Sequence, residues 1–196
     1  MSFSLILPMM AFALAASISP GPVNLVCLSS GTRHPIATGL IFVSGATLGF
    51  ILLFIAIGLG LYSVLSLLPG LNNALKWLGI AFLLYLSFQL FKDNGQLTQE
   101  QDSNRPGFMT GAIMQWLNPK AWLASASGIG AYTNNDLQHI LLFAAIYLPV
   151  CWLSLSCWVY AGAYLRRFMQ TPSTLIIINR SLAILLALST LYLLID

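Results

Sequence analysis

Six stretches of this chain, Phe3–Ser30, Ile36–Leu65, Leu71–Phe91, Phe108–Tyr132, His139–Tyr164 and Thr174–Ile195, are dominated by apolar residues over more than 20 positions each. A bilayer core about 30 Å thick takes about 20 such residues to cross as a helix. In lipid no water is available to backbone N–H and C=O groups, and a helix satisfies them within one segment. The chain carries only 8 Lys+Arg and 5 Asp+Glu, 7% of its residues, against 58% apolar ones. A soluble domain carries about 25% charged residues. So few charges cannot cover a water-facing surface, and the surface must meet lipid. The expectation is an all-α polytopic membrane protein, one transmembrane domain over residues 1–196, with six transmembrane helices.

Proline and glycine punctuate these stretches. Pro35 stands just inside the second, Pro69-Gly70 precedes the third, Pro106-Gly107 the fourth and Pro172 the sixth. Residues 92–105, KDNGQLTQEQDSNR, form the only extended polar stretch and read as a mobile loop. Ala13-Leu14-Ala15 resembles a signal-peptide cleavage site. No Lys or Arg precedes it and apolarity continues to Leu28, so a retained first span is expected. A five-span arrangement with a peripheral first segment is the alternative.

With six spans, the loops after the first, third and fifth share one side and hold Arg33, Lys92, Arg105, Arg166 and Arg167. The other side holds Lys76, while Lys120 and Arg180 lie within spans. The positive-inside rule then makes the 92–105 loop cytoplasmic and both termini periplasmic.

The chain resembles itself at half its length. Pro20 and Pro119 are 119 − 20 = 99 residues apart, and Gly31 and Gly130 are 130 − 31 = 99 apart. Ser-Pro-Gly-Pro-Val-Asn at 19–24 faces Asn-Pro-Lys-Ala-Trp-Leu at 118–123. Halves of about 1–98 and 99–196 with three spans each must enter the membrane oppositely. The first and fourth helices are then broken, in a 3+3 inverted repeat of the kind that secondary transporters use.

Pro20-Gly21-Pro22 must break its helix, because two prolines remove backbone donors and clash with preceding carbonyls. The carbonyls of Ser17, Ile18 and Ser19 lose partners there, which is tolerated only in a protein interior or a wet cavity. Pro22 suits the first turn of a new half-helix, whose N–H groups could receive a substrate carboxylate, with Asn24 following. A bare structural kink is the plain alternative. Asn118-Pro119-Lys120 is the counterpart, with Gln115 nearby. A lysine in an apolar span costs on the order of 2.5–3.5 kcal/mol on insertion scales. Lys120 therefore either binds a carboxylate or pairs with backbone carbonyls at the break, with snorkelling as the alternative. Arg180 could join the pocket or snorkel to the basic side. Gly45-x3-Gly49 is a small-residue face that suits packing within the chain, with a homodimer as the alternative. The five tryptophans read as interfacial anchors or filler.

Other chemistry is missing from the sequence. No Asp or Glu lies mid-span, no Walker motif occurs, and His34 and His139 form no metal or nucleophile cluster. No basic run suits nucleic acid, and no cofactor is implied. Cys27, Cys151 and Cys157 have no CxxC spacing and read as small apolar residues, so alkylating all three should leave function intact.

The run Ile18-Ser-Pro-Gly-Pro-Val-Asn24, then Leu28-Ser-Ser-Gly31, then Gly39, Gly45 and Gly49, resembles the start of the LysE/RhtB amino-acid exporters. Gln115-Trp-Leu-Asn-Pro-Lys120 is similar to that family's second signature, and the likeness covers the whole chain. The first run looks closest to the branch exporting cysteine and O-acetylserine. The resemblance implies efflux of small amino acids across the bacterial inner membrane, driven by the proton gradient without ATP, by a non-enzyme. Its implied site is Pro20, Gly21, Pro22, Asn24, Gln115, Asn118, Pro119, Lys120 and Arg180. Phe50 departs from the polar or acidic residue of many members, which turns the expectation from basic to neutral, homoserine-like or acidic substrates. A membrane thiol–disulfide carrier would need cysteines in matching halves, but Cys27 shifted by 99 is Ala126. A non-transporting assembly subunit is the remaining alternative.

Overall fold

The computed structural model describes residues 3–61, 69–92, 105–134, 136–167 and 172–192. These carry eight helices: α1 (Phe3–Ile18), α2 (Pro22–Arg33), α3 (Ile36–Gly58), α4 (Pro69–Phe91), α5 (Phe108–Trp116), α6 (Pro119–Tyr132), α7 (Leu137–Arg166) and α8 (Pro172–Tyr192). No strand occurs among the described residues. The fold is all-helical, and each of the six apolar stretches coincides with one helix or one pair. Two of these helices, α3 with 23 residues and α7 with 30, are long and apolar enough to cross a membrane. The pair α1 and α2, bent by 61°, passes the same test together. Most of the polar loop, residues 93–104, lies outside the described residues.

Both expected breaks are present. Chain direction changes between Ile18 and Pro22, where Gly21 is extended at φ −173°. The helix is interrupted again between Trp116 and Pro119, where Asn118 adopts φ −98°, ψ 107°. Each following helix begins with proline, whose missing N–H is one the first turn could not pair anyway.

Small residues let the helices cross closely. A Cβ on Gly45 or Gly49 of α3 would run into the backbone of Phe108 or Ala112 on α5, and one on Gly111 into that of Phe42. The face Gly45-x3-Gly49 thus packs within the chain, as its composition suggests. Gly31 of α2 and Gly162 of α7 make a second crossing of the same kind. Gly130, which the 99-residue spacing pairs with Gly31, has open space where its Cβ would stand, so those two glycines share no role.

Between the crossings lies an aromatic core. The Phe143 ring is 5.1 Å from Phe54, 5.5 Å from Tyr132, 5.5 Å from Tyr147 and 6.1 Å from Phe12. Large apolar side chains also cover the outside. Leu7, Leu52, Leu123 and Ile177 are each more than 60% exposed, as a lipid-facing surface requires.

Candidate functional site

The break between α1 and α2 leaves a definite set of backbone carbonyls without helical donors. In an unbroken helix, residues 20 to 24 would donate to the carbonyls of residues 16 to 20. Pro20 and Pro22 have no N–H, and the turn at Gly21 carries the other donors away. Each orphaned oxygen finds another partner, as buried backbone must. Ala16 O accepts from the Ser19 hydroxyl at 3.2 Å, and Ser17 O from Asn24 Nδ2 at 2.9 Å. Ile18 O accepts from Trp158 Nε1 at 3.1 Å. Ser19 O accepts from Lys120 Nζ at 2.6 Å, and Pro20 O from the same ammonium at 3.3 Å. Lys120 Nζ also reaches Ser19 Oγ at 2.9 Å. The lysine therefore does pair with the carbonyls at the break.

Lys120 reaches them because of the second break. Asn118 caps α6 by accepting from Lys120 N at 3.2 Å, which sets the second residue of that helix facing the first break. Gly21 leaves room for the lysine stem, since a Cβ there would stand 3.0 Å from Lys120 Cδ. Behind Asn118, Trp122 Nε1 donates to Trp116 O at 2.7 Å.

Beside this junction is a cavity with about 40 Å³ open to the centres of water-sized molecules. That is room for a few waters, each needing about 10–15 Å³ on this measure. Ser17 of α1, Asn24 of α2, Gln115 of α5, and Asn118 and Lys120 at the second break give its polar wall. Phe50 of α3 and Tyr147, Cys151 and Leu155 of α7 face them. The Phe50 and Tyr147 rings lie 4.6 Å apart and close the apolar side. Lys120 is the only charged residue among those lining the cavity.

Of the site residues read from the sequence, Asn24, Gln115, Asn118 and Lys120 line this cavity. Pro20 and Gly21 lie against Lys120, while Pro22 and Pro119 start the two helices that frame it. Arg180 is not brought to them. It is exposed on α8 and stacks 5.2 Å from the centre of the Phe91 ring at the end of α4. It is not among the residues that line the cavity.

Ser17, Tyr147, Cys151 and Trp158 escaped the sequence reading as site residues. Tyr147 is 1% and Cys151 3% exposed, yet both border the cavity and interact with Ser17. Cys151 Sγ also accepts from Thr47 Oγ1 at 3.9 Å. Three tryptophans read as anchors or filler donate specific hydrogen bonds, with Trp152 Nε1 reaching Ser44 Oγ at 3.1 Å beside the two already described. No clustering of His, Cys, Asp or Glu suited to a metal occurs among the described residues.

Comparison with known proteins adds independent findings. The sequence model of a family described as LysE type translocator matches residues 14–196. A protein of Klebsiella pneumoniae subsp. pneumoniae named cysteine/O-acetylserine efflux protein is 24% identical over 170 residues, 85% of this chain and 86% of the relative. Proteins of the same name from Salmonella choleraesuis and Escherichia coli O157:H7 are 23% and 22% identical over 92% of this chain and 91% of each relative. No solved structure matches this chain.

Proposed function

This chain belongs to the family of LysE type translocators, and from that premise we propose that it exports a small neutral amino acid, of the cysteine or O-acetylserine kind, using the proton gradient. Amino-acid export by a multi-pass membrane protein follows from the family and the apolar helices. The substrate reading draws on the printed names of the relatives and on the cavity wall. Phe50, Tyr147 and Leu155 offer a small or apolar side chain van der Waals contact, and the lining has no carboxylate to pair with a second cation.

The observation that carries the site is the Lys120 ammonium held by neutral carbonyls beside an open cavity. A carboxylate is a better acceptor for an ammonium than a peptide carbonyl, since hydrogen bonds with both partners charged are about twice as strong. The carboxylate of an arriving amino acid therefore draws Nζ from Ser19 and Pro20. The first-turn N–H groups of Val23 and Asn24, which have no intrahelical acceptor, favour the same anion. Side-chain oxygens of Ser17, Gln115 and Asn118 can accept from the substrate ammonium. Binding thus loosens a contact that ties α6 to the α1–α2 break, which couples occupancy to movement of the two halves.

The packing supports the 3+3 inverted repeat. If the halves are exchanged, α1 and α2 become α5 and α6, and α3 and α4 become α7 and α8. The contact of α3 with α5 then matches that of α7 with α1. Likewise α2 with α7 matches α6 with α3, while α3 with α7 and α4 with α8 match themselves. On this reading six spans put both termini on one side, and the basic loops on the other make that side the periplasm.

The test is counterflow and proton-driven uptake in proteoliposomes with cysteine, O-acetylserine, homoserine, lysine and glutamate. Saturable flux of the first three that collapses with the proton gradient is expected. Absence of any substrate-dependent flux would leave a structural subunit as the better account. Preferred flux of lysine would overturn the reading of the cavity wall.

A further inference from the structure

Away from Lys120, the C-terminal ends of α2 and α7 and the start of α3 enclose a groove of about 460 Å³. Its wall is built from Ile36 and Ala163, and its rim from Arg166 and Arg167, with Tyr160 and Tyr164 one helical turn apart between them. Both arginines and both tyrosines are exposed. Gly31, which lines the groove, packs against the α7 backbone at Val159 and Ala163, so the two helices that border it cross in close contact.

Among the described residues, the charge at this end is basic. Asp136 is the only acidic residue among those described, and it precedes α7 at the far end, paired with His139 at 2.7 Å. The 30 residues of α7 separate it from Arg166 by about 45 Å of helical rise. Two guanidiniums at the end of a long apolar helix sit at headgroup depth, and tyrosines favour the same level. A planar guanidinium binds phosphate oxygens in pairs. Basic pockets between helices on the positive side of a membrane protein suit anionic headgroups.

We propose that this groove is a binding site for an acidic phospholipid. Its phosphate pairs with Arg166 and Arg167, and its glycerol and upper acyl carbons lie along Tyr160, Ile36 and Ala163. A freely dissolved phosphate shares the first contact but would leave the apolar wall wet, so the lipid is the fitting source.

The experiment titrates the detergent-purified full chain with phosphatidylglycerol, phosphatidylcholine or glycerol phosphate and counts bound molecules by native mass spectrometry. Phosphatidylglycerol should be retained, and phosphatidylcholine should not. Arg166→Gln and Arg167→Gln should each weaken retention about fivefold, the equivalent of about 1 kcal/mol per basic residue. Ala163→Trp fills the groove without touching the charge and should abolish specific retention in a folded protein. Equal retention of both lipids, or wild-type retention by Ala163→Trp, would overturn the site. Displacement of the lipid by glycerol phosphate at a similar concentration would overturn its assignment to lipid.

Discussion

The Lys120 ammonium donates to the Ser19 carbonyl oxygen at 2.6 Å across 101 residues of sequence, joining the two helix breaks into one site. The same residue solves two problems. The ammonium leaves water only where acceptors await it, and the broken helix presents carbonyls that have lost their donors. Neither group is comfortable alone in a membrane interior.

Lys120→Met should insert normally but export at least about tenfold less at low substrate, because one charge-assisted hydrogen bond is worth roughly 1.5–3 kcal/mol. Lys120→Arg should restore only part, since a planar fork does not reproduce a compact ammonium between three oxygens. Initial rates over a range of substrate concentrations, at matched protein levels, make the measurement. Wild-type rates in Lys120→Met would reduce the residue to a structural tether.

Asn24→Leu leaves Ser17 O without its donor, and Asn24 is only 4% exposed. The loss should be about 1–3 kcal/mol of stability, seen as a lowered unfolding midpoint in detergent. Trp158→Phe removes the donor to Ile18 O at a more exposed position, so its midpoint should fall less. A reversed order would mean that burial at this break has been misjudged.

Gly45→Val drives a side chain into the Phe108 backbone and should abolish folded, membrane-inserted protein. Gly130→Ala meets open space and should be tolerated or slightly stabilising, given the better helix propensity of alanine. Size-exclusion profiles of the two variants separate these outcomes. Equal behaviour would deny that the α3–α5 crossing is set by small residues.

Cys151 is buried as expected but borders the cavity, so the expectation that alkylating all three cysteines leaves function intact meets its test there. In a chain with Cys27 and Cys157 changed to serine, a maleimide should block export, and O-acetylserine should slow that block. The variant with all three changed to serine should be insensitive. Undiminished export after complete labelling of Cys151 would exclude the cavity from the transport path.

The proposed topology, with both termini periplasmic, rests on the distribution of basic residues and is checked with reporters. A reporter after Asp196 should be active only when it is a periplasmic type, and one inserted between Thr98 and Gln99 only when it is a cytoplasmic type. The opposite pattern would reverse the proposed direction of the whole chain.

Much of the site was legible in advance, for local reasons. Pro20 and Pro22 break a helix wherever they stand in one, since each removes a donor within its own turn. The cost of Lys120 is likewise a property of its span. Arg180 shows the limit of such arguments. Its place in the span allowed two positions, and the contact with Phe91 at the end of α4, outside the cavity lining, is visible only in the tertiary structure.

The sequence by itself determined the solvent, the helices, their two breaks and the list of groups that must find partners. Those follow from apolar run length, missing N–H groups and the scarcity of charge, all of which act within a few residues. The tertiary structure alone decided which partners answer. Trp158 reaches Ile18 from 140 residues away, and Tyr147 and Cys151 meet Ser17 from the opposite half of the chain. A tryptophan N–H or a buried thiol looks the same in an apolar run whether it faces lipid, core or cavity. Only the close crossings of α2 with α7 and α3 with α5 aim such groups, because backbone contact at glycine fixes the rotation of each helix about its axis.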